Sequence, residues 1–259
     1  MNHSPAWIRS LGPLVVADLR HRYAGSALGA LWTVLGPLVE VVAYTAVFSL
    51  FVKPKTPGEG LTFTLFIASG ILPWASLREA LEGSAAALPD NRWIRRSRVP
   101  MDLLVARQVV AASARGAVGL TLVLAVVVAR GGSPGWAGIL LPLVGLYLQT
   151  AASYGLGVLA APLATLHPDL RPGLASGLTL LTFGSPILFP EALLQGPVLA
   201  LMEWNPFTHF LRLYRFPLDP LGTSLGWTDV AVSLATPVAF MALGTLVKDR
   251  LFAEARDLL

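Results

Sequence analysis

A single carboxylate, Glu40, stands in an otherwise uncharged run at residues 28–52, and Tyr44, Phe48 and Phe51 follow it at helical spacing. A carboxylate inside a membrane-like segment is costly, and so it marks a functional candidate. One reading makes this stripe a packing face, with Glu40 hydrogen-bonded to a neighbouring helix. The other makes it a translocation pathway, in which the rings offer flat surfaces to sugars and the carboxylate accepts hydrogen bonds from their hydroxyls. A proton relay would need a second buried titratable group, and the sequence offers no good partner.

Elsewhere the chemistry is sparse. The histidines His3, His21, His167 and His209 show no metal-ligand spacing, and no nucleophile elbow occurs. The lysines are Lys53, Lys55 and Lys248, and none lies in a Gly-rich phosphate loop. No catalytic residue, cofactor or metal is therefore expected on this chain. If its work is driven by ATP, the ATPase is a separate subunit. Cysteine is absent, which excludes a disulfide framework and thiol-based metal or redox sites.

The elements that must carry these residues follow from composition. Of 259 residues, 54% are hydrophobic and 13% charged, against about 25% charged in a soluble domain. The apolar residues come in long uncharged runs, which excludes a soluble core. Six runs suit membrane spans of about 20 residues: residues 28–52, 61–77, a run ending at 116–129, 135–166, 172–190 and 230–247. Lipid cannot satisfy backbone donors, so these spans should be helices. The expected fold is an all-α polytopic membrane protein of six spans, forming one domain over residues 1–259.

Orientation follows from the basic residues of short loops. Thirteen fall on the side that holds both termini: Arg9, Arg20, Arg22, Arg78, Arg92, Arg95, Arg96, Arg98, Arg107, Arg171, Lys248, Arg250 and Arg256. Lys53, Lys55, Arg130, Arg212 and Arg215 fall on the other, and Arg115 lies within the third span. Both termini are thus expected in the cytoplasm. This asymmetry accounts for a pI near 9.8 without any nucleic-acid partner.

Three further segments shape the expectation. Residues 1–27 read as an amphipathic helix on the inner membrane face, with Trp7, Ile8, Leu11, Leu14, Val15 and Leu19 as its apolar side. After a helix ending near Leu88 and a Pro89-Asp90-Asn91 turn, Trp93 and Ile94 stand among Arg92, Arg95, Arg96 and Arg98. That segment is either an anchor for anionic headgroups or a knob that docks on a cytoplasmic partner. Residues 191–227 are too apolar for a solvated loop, yet Gly196-Pro197 and Asn205-Pro206 break them too often for a span. Short helices at 193–201 and 207–214 are expected there, forming an outer gate or vestibule with Asn205, Pro206 and Phe207. In the fourth span, Ala151, Ala152, Gly155 and Gly157 permit close helix approach, within the chain or at a dimer contact.

The stretch DLRHRYAGSALGALW, with Asp18, Leu19, Arg22, Tyr23, Ser26, Leu28, Gly29 and Trp32, resembles the N-terminal signature of type-2 ABC permeases that export polysaccharides. The likeness continues through SGILPWASLREAL, NRWIRRSRVPMDLLVARQ, TLHPDLRPGL, GSPILFP and NPFTHFLRLYR, nearly the whole chain in order. Two departures are Gly36, where the family usually has asparagine, and Glu40, where an aliphatic residue is commoner. The resemblance implies a homodimer with two separate P-loop ATPase subunits that hold the ATP and Mg. The implied substrate is a lipid-linked glycan such as O-antigen, capsule or teichoic-acid precursor, moved across the cytoplasmic membrane. It turns Arg92, Trp93, Ile94, Arg95, Arg96 and Arg98 toward ATPase coupling. It also implies a lipid-side entrance at Asp18, Arg20, Arg22, Tyr23 and Trp32, which would meet the start of the path read from Glu40, Tyr44, Phe48 and Phe51. The alternative within transport is a type-2 permease for a drug or small lipid. A membrane enzyme acting on lipid-linked sugars would want paired carboxylates or histidines at one membrane face, which the sequence lacks.

Overall fold

The computed structural model describes residues 12–13, 15–16, 25–49, 59–89, 99–191, 196–216 and 224–258. Among them every regular element is helical. A 3-10 turn, Gly29–Leu31, leads into α1 (Trp32–Ser49), followed by α2 (Glu59–Ala86), α3 (Met101–Ala129) and α4 (Gly135–Leu166). Then come α5 (Leu170–Phe183), two short helices α6 (Pro197–Glu203) and α7 (Pro206–Arg215), and α8 (Trp227–Leu258). Among the described residues, three helices are long and apolar enough to cross a membrane: Met101–Ala129, Gly135–Leu166 and Trp227–Ala255.

The expected runs and the observed helices differ in instructive ways. The second run and the helix expected to end near Leu88 are one continuous helix, α2, which passes through Pro73 without breaking. A proline lacks the N–H that would bond back one turn, so the Ser69 carbonyl loses its helical partner, and a polar contact from α4 meets α2 at the same proline. Gln149 donates from Nε2 to the Pro73 carbonyl at 3.0 Å and accepts from the Tyr214 hydroxyl at 2.8 Å. The fourth run coincides with α4 at both ends. The fifth, expected to reach residue 190, stops as a helix at Phe183. At 1.5 Å per residue it is roughly 21 Å long, short of the ~30 Å hydrocarbon layer. The Gly184-Ser185-Pro186 sequence takes the chain out of the helix into a buried turn.

The hub is α4, which packs along α8 and also against α2, α3 and α7. Small residues permit this. A side chain at Gly155 would run into the α8 backbone at Phe240 and Met241, and one at Gly244 would meet the Gly155 carbonyl. Gly157 sits equally tightly against Ser84 and Val105. The expected close approach of the fourth span is therefore found within the chain. One core cluster joins Phe66, Ile67, Trp74, Ile187, Leu188, Phe210 and Tyr214 across α2, α7 and the turn after α5. A second, with Leu88, Met101, Val105, Val109 and Val158, sits at the other end of α2.

Of residues 1–27 only Gly12, Pro13, Val15, Val16 and 25–27 are described, so the expected interfacial helix lies outside the described residues. The short helices are present, the first at Pro197–Glu203 rather than 193–201, with residues 192–195 outside the described residues. The shift follows from Gly196-Pro197, since proline favours the first turn of a helix. Gly155→Ala should cost about 1–3 kcal/mol by forcing α4 and α8 apart. The expected reading is a lower unfolding midpoint in detergent, whereas Gly177→Ala in α5, which meets nothing within 4 Å, should leave the midpoint unchanged or slightly raised.

Candidate functional site

Between α1, α2, α3 and α5 lies a cleft of about 370 Å³. From α1 it is lined by Trp32, Glu40 and Tyr44, spaced so that one helical face supplies all three. From α2 come Trp74, Arg78, Glu79 and Glu82, from α3 Arg115, and from α5 Thr182. Trp74 donates its indole N–H to the Thr182 hydroxyl at 2.8 Å and lies 4.7 Å, centroid to centroid, from the Phe207 ring. These contacts tie α2 to α5 and α7 at one end of the cleft.

Its electrostatics rest on two ion pairs. The Arg115 guanidinium, 8% exposed, meets both oxygens of Glu79 through Nη2 and Nε, each at 2.5 Å. Such a two-pronged pair combines charge with fixed geometry. Arg78 and Glu82 pair one turn apart on α2 at 3.0 Å, an exposed contact that adds little stability. Glu40 is exposed and has no hydrogen bond or ion pair to the described residues, while Arg78 and Glu79 are the charges that act on it.

A second polar centre holds α6 and α7 in place. Arg212 binds Glu191 through Nε at 3.1 Å and Nη2 at 2.5 Å, and Asp229 through Nη1 at 2.7 Å. His209 bridges Asp229 at 2.7 Å and the Glu203 carbonyl at 3.0 Å, and the Gly226 N–H donates to Asp229 at 2.7 Å. Burial alone would pull the Arg212 pKa down; the hydrogen bonds it donates to the Glu191 and Asp229 carboxylates reverse the sign and keep it charged. Deeper, Arg215 is 2% exposed and donates to the Pro186 and Ile187 carbonyls at 2.5 and 2.7 Å, with its guanidinium 3.7 Å above the Phe66 ring.

The structure brings Trp32, Glu40 and Tyr44 to one cleft. Phe48 lies in the last turn of α1 with its side chain outside the described residues, as is the whole of Phe51. Asp18, Arg20, Arg22 and Tyr23 lie outside the described residues, and so do Arg92, Trp93, Ile94, Arg95, Arg96 and Arg98. Asn205 caps α7 by accepting from the Phe207 N–H at 3.0 Å and reaches Ser185 at 2.6 Å. Pro206 fills the first turn of α7, and Phe207 is buried on Trp74.

Sequence reasoning missed Glu79 and Arg115. Glu79 falls just past the second apolar run, and Arg115 stands in the third span without an evident partner. An arginine in an apolar run demands an acidic partner, and that was the available signal; the 36-residue separation hid which one.

No family model matches the chain. Over 205 residues it is 29% identical to the O-antigen export system permease protein RfbA of Myxococcus xanthus, covering 78% of this chain and 77% of that one. It is 22% identical over 242 residues to an RfbA of Klebsiella pneumoniae, covering 92% and 91% of the two chains. It is 25% identical over 236 residues to the polysialic acid transport protein KpsM of Escherichia coli, covering 90% and 87%. The likeness to type-2 ABC permeases of polysaccharide export, seen in the sequence, is borne out by these relatives.

Arg115→Met should cost about 3–5 kcal/mol, the usual effect of breaking a buried ion pair from one side. Removing both charges, as Arg115→Met with Glu79→Gln, should recover a large part of that loss, measured by denaturation of the detergent-solubilised protein as a double-mutant cycle.

Proposed function

We propose that this relative of polysaccharide-export permeases is the membrane-spanning subunit of an ATP-driven exporter of lipid-linked polysaccharide. It works as a homodimer with two separate ATPase subunits in the cytoplasmic membrane of a bacterium. The observation that carries the proposal is similarity over 76–92% of the chain to permeases of O-antigen export and polysialic acid transport. The cleft supports it, because it places aromatic and carboxylate side chains on one wall, a chemistry suited to sugar rings and hydroxyls.

In this reading α1, α2, α3, α4, α5 with its following turn, and α8 make six crossings, both termini being cytoplasmic. Trp32 then marks the cytoplasmic mouth of the cleft, and Glu40 and Tyr44 stand farther along the path, continued by Phe48 and Phe51. Asp18, Arg20, Arg22 and Tyr23 form the lipid-side entrance with Trp32. Arg92, Trp93, Ile94, Arg95, Arg96 and Arg98 dock on the ATPase. Asn205, Pro206 and Phe207 belong to the outer gate, held by the Arg212 network. This chain performs no bond-breaking chemistry; ATP and Mg reside on the partner, and the permease supplies a path that changes shape.

Copurification of the chain with a P-loop ATPase, followed by hydrolysis assays with added lipid-linked glycan, tests the proposal. Stimulated hydrolysis is the expected outcome, and a permease that recruits no ATPase would defeat the reading. Arg95→Glu with Arg96→Glu should abolish coupling of hydrolysis to export while leaving the permease inserted. Tyr44→Ala with Phe48→Ala should reduce export about tenfold or more, taking stacking at ~1–3 kcal/mol per ring as a guide, with ATPase assembly retained.

A further inference from the structure

Charge is unevenly matched in the cleft between α1, α2, α3 and α5. Among the described lining residues, two guanidiniums face three carboxylates. Arg115 is taken by Glu79 in a two-pronged pair, and Arg78 by Glu82. Glu40 is left over, on the α1 wall that also carries Trp32 and Tyr44. An anionic sugar arriving here finds both guanidiniums already engaged and a carboxylate in its way. An uncharged sugar finds two aromatic faces and, in Glu40, an acceptor for its hydroxyls.

We propose that Glu40 is a specificity-determining residue which makes the cleft selective for uncharged or amino-sugar polymers and against polyanionic glycans. The proposal rests on reading the cleft as the glycan's path and names the substrate class of that path. A polyanion such as polysialic acid carries a carboxylate on every sugar, so each residue that passes would face Glu40 again. At the separations of a close contact and the effective dielectric of a partly desolvated site, like-charge repulsion suffices for discrimination of about tenfold or more. A hydroxyl-rich neutral polymer escapes this repulsion and gains a hydrogen bond at the same point. The charge count further implies that Arg78, the cation acting on Glu40, moderates the selectivity.

The test uses the full permease with its ATPase in proteoliposomes and two probes on one polyprenyl diphosphate carrier, a mannose homopolymer and a polysialic acid. Keeping the carrier constant leaves glycan charge as the variable. The readout is the ratio of the concentrations that half-maximally stimulate ATP hydrolysis. For the native protein, polysialic acid should require at least tenfold more than the mannose polymer. Glu40→Gln should narrow that ratio and Glu40→Lys should narrow it further or invert it, while Arg78→Gln should widen it. Equal responses of the native protein to both probes would overturn the proposal, as would a ratio unmoved by the Glu40 and Arg78 substitutions. If neither glycan stimulates hydrolysis although the ATPase is bound and active, the exporter reading itself fails and takes this inference with it.

Discussion

A carbonyl inside a hydrocarbon layer has no water to bond, so every departure from helix must be answered by another part of the chain. The same constraint holds wherever backbone is buried away from water, and the turn after α5 is buried. Gly184-Ser185-Pro186 ends the helix early, and the carbonyls of Pro186 and Ile187 are exposed to a buried environment. Arg215 answers both of them and lies on Phe66 as it does so. A fully buried guanidinium would be expensive alone; here its cost is offset by carbonyls that would otherwise be unsatisfied and by a ring face that attracts cations. Because Arg215 ends α7, that short helix must sit inside the bundle, and its neighbours Phe207, Phe210, Leu211 and Tyr214 become core residues.

That placement of α7 carries through to the cleft. Tyr214 reaches Gln149 on α4, and Gln149 reaches the Pro73 carbonyl on α2, so three helices share one polar node. Phe207 rests on Trp74, whose indole binds Thr182 on α5. The α2 helix is thereby held at a fixed rotation, with Arg78, Glu79 and Glu82 turned toward α1 and α3. At the opposite edge, Gly155 lets α4 pack backbone to backbone against α8, its longest partner. These satisfied nodes tie α2, α4, α5 and α7 into one packed unit.

Much of the fold was legible because membrane spans announce themselves by composition. The fourth run matched its helix end to end, and the small residues of that run pointed to the close approach that exists. The fifth was misjudged because a run of apolar residues does not say whether its backbone is helical; the Gly184-Ser185-Pro186 break became decisive only once Arg215 was there to bond the freed carbonyls. In the cleft, the helical spacing of Glu40 and Tyr44 was readable on α1, whereas Glu79 and Arg115 were not recognisable as a pair. They lie 36 residues apart on two helices, and no local pattern specifies which faces of those helices meet.

The sequence by itself determined the helical class, the membrane setting and the likeness to polysaccharide-export permeases. These depend on local properties: hydropathy, helical periodicity, and motifs in chain order. Only the tertiary structure decided that Glu40 shares a cleft with two matched ion pairs, and that Arg215 is a structural cation rather than a loop charge. Those outcomes depend on which carbonyl, carboxylate or ring lies across from each guanidinium. That is a property of helices far apart in the chain, fixed by packing and by the demand that buried polar groups find partners.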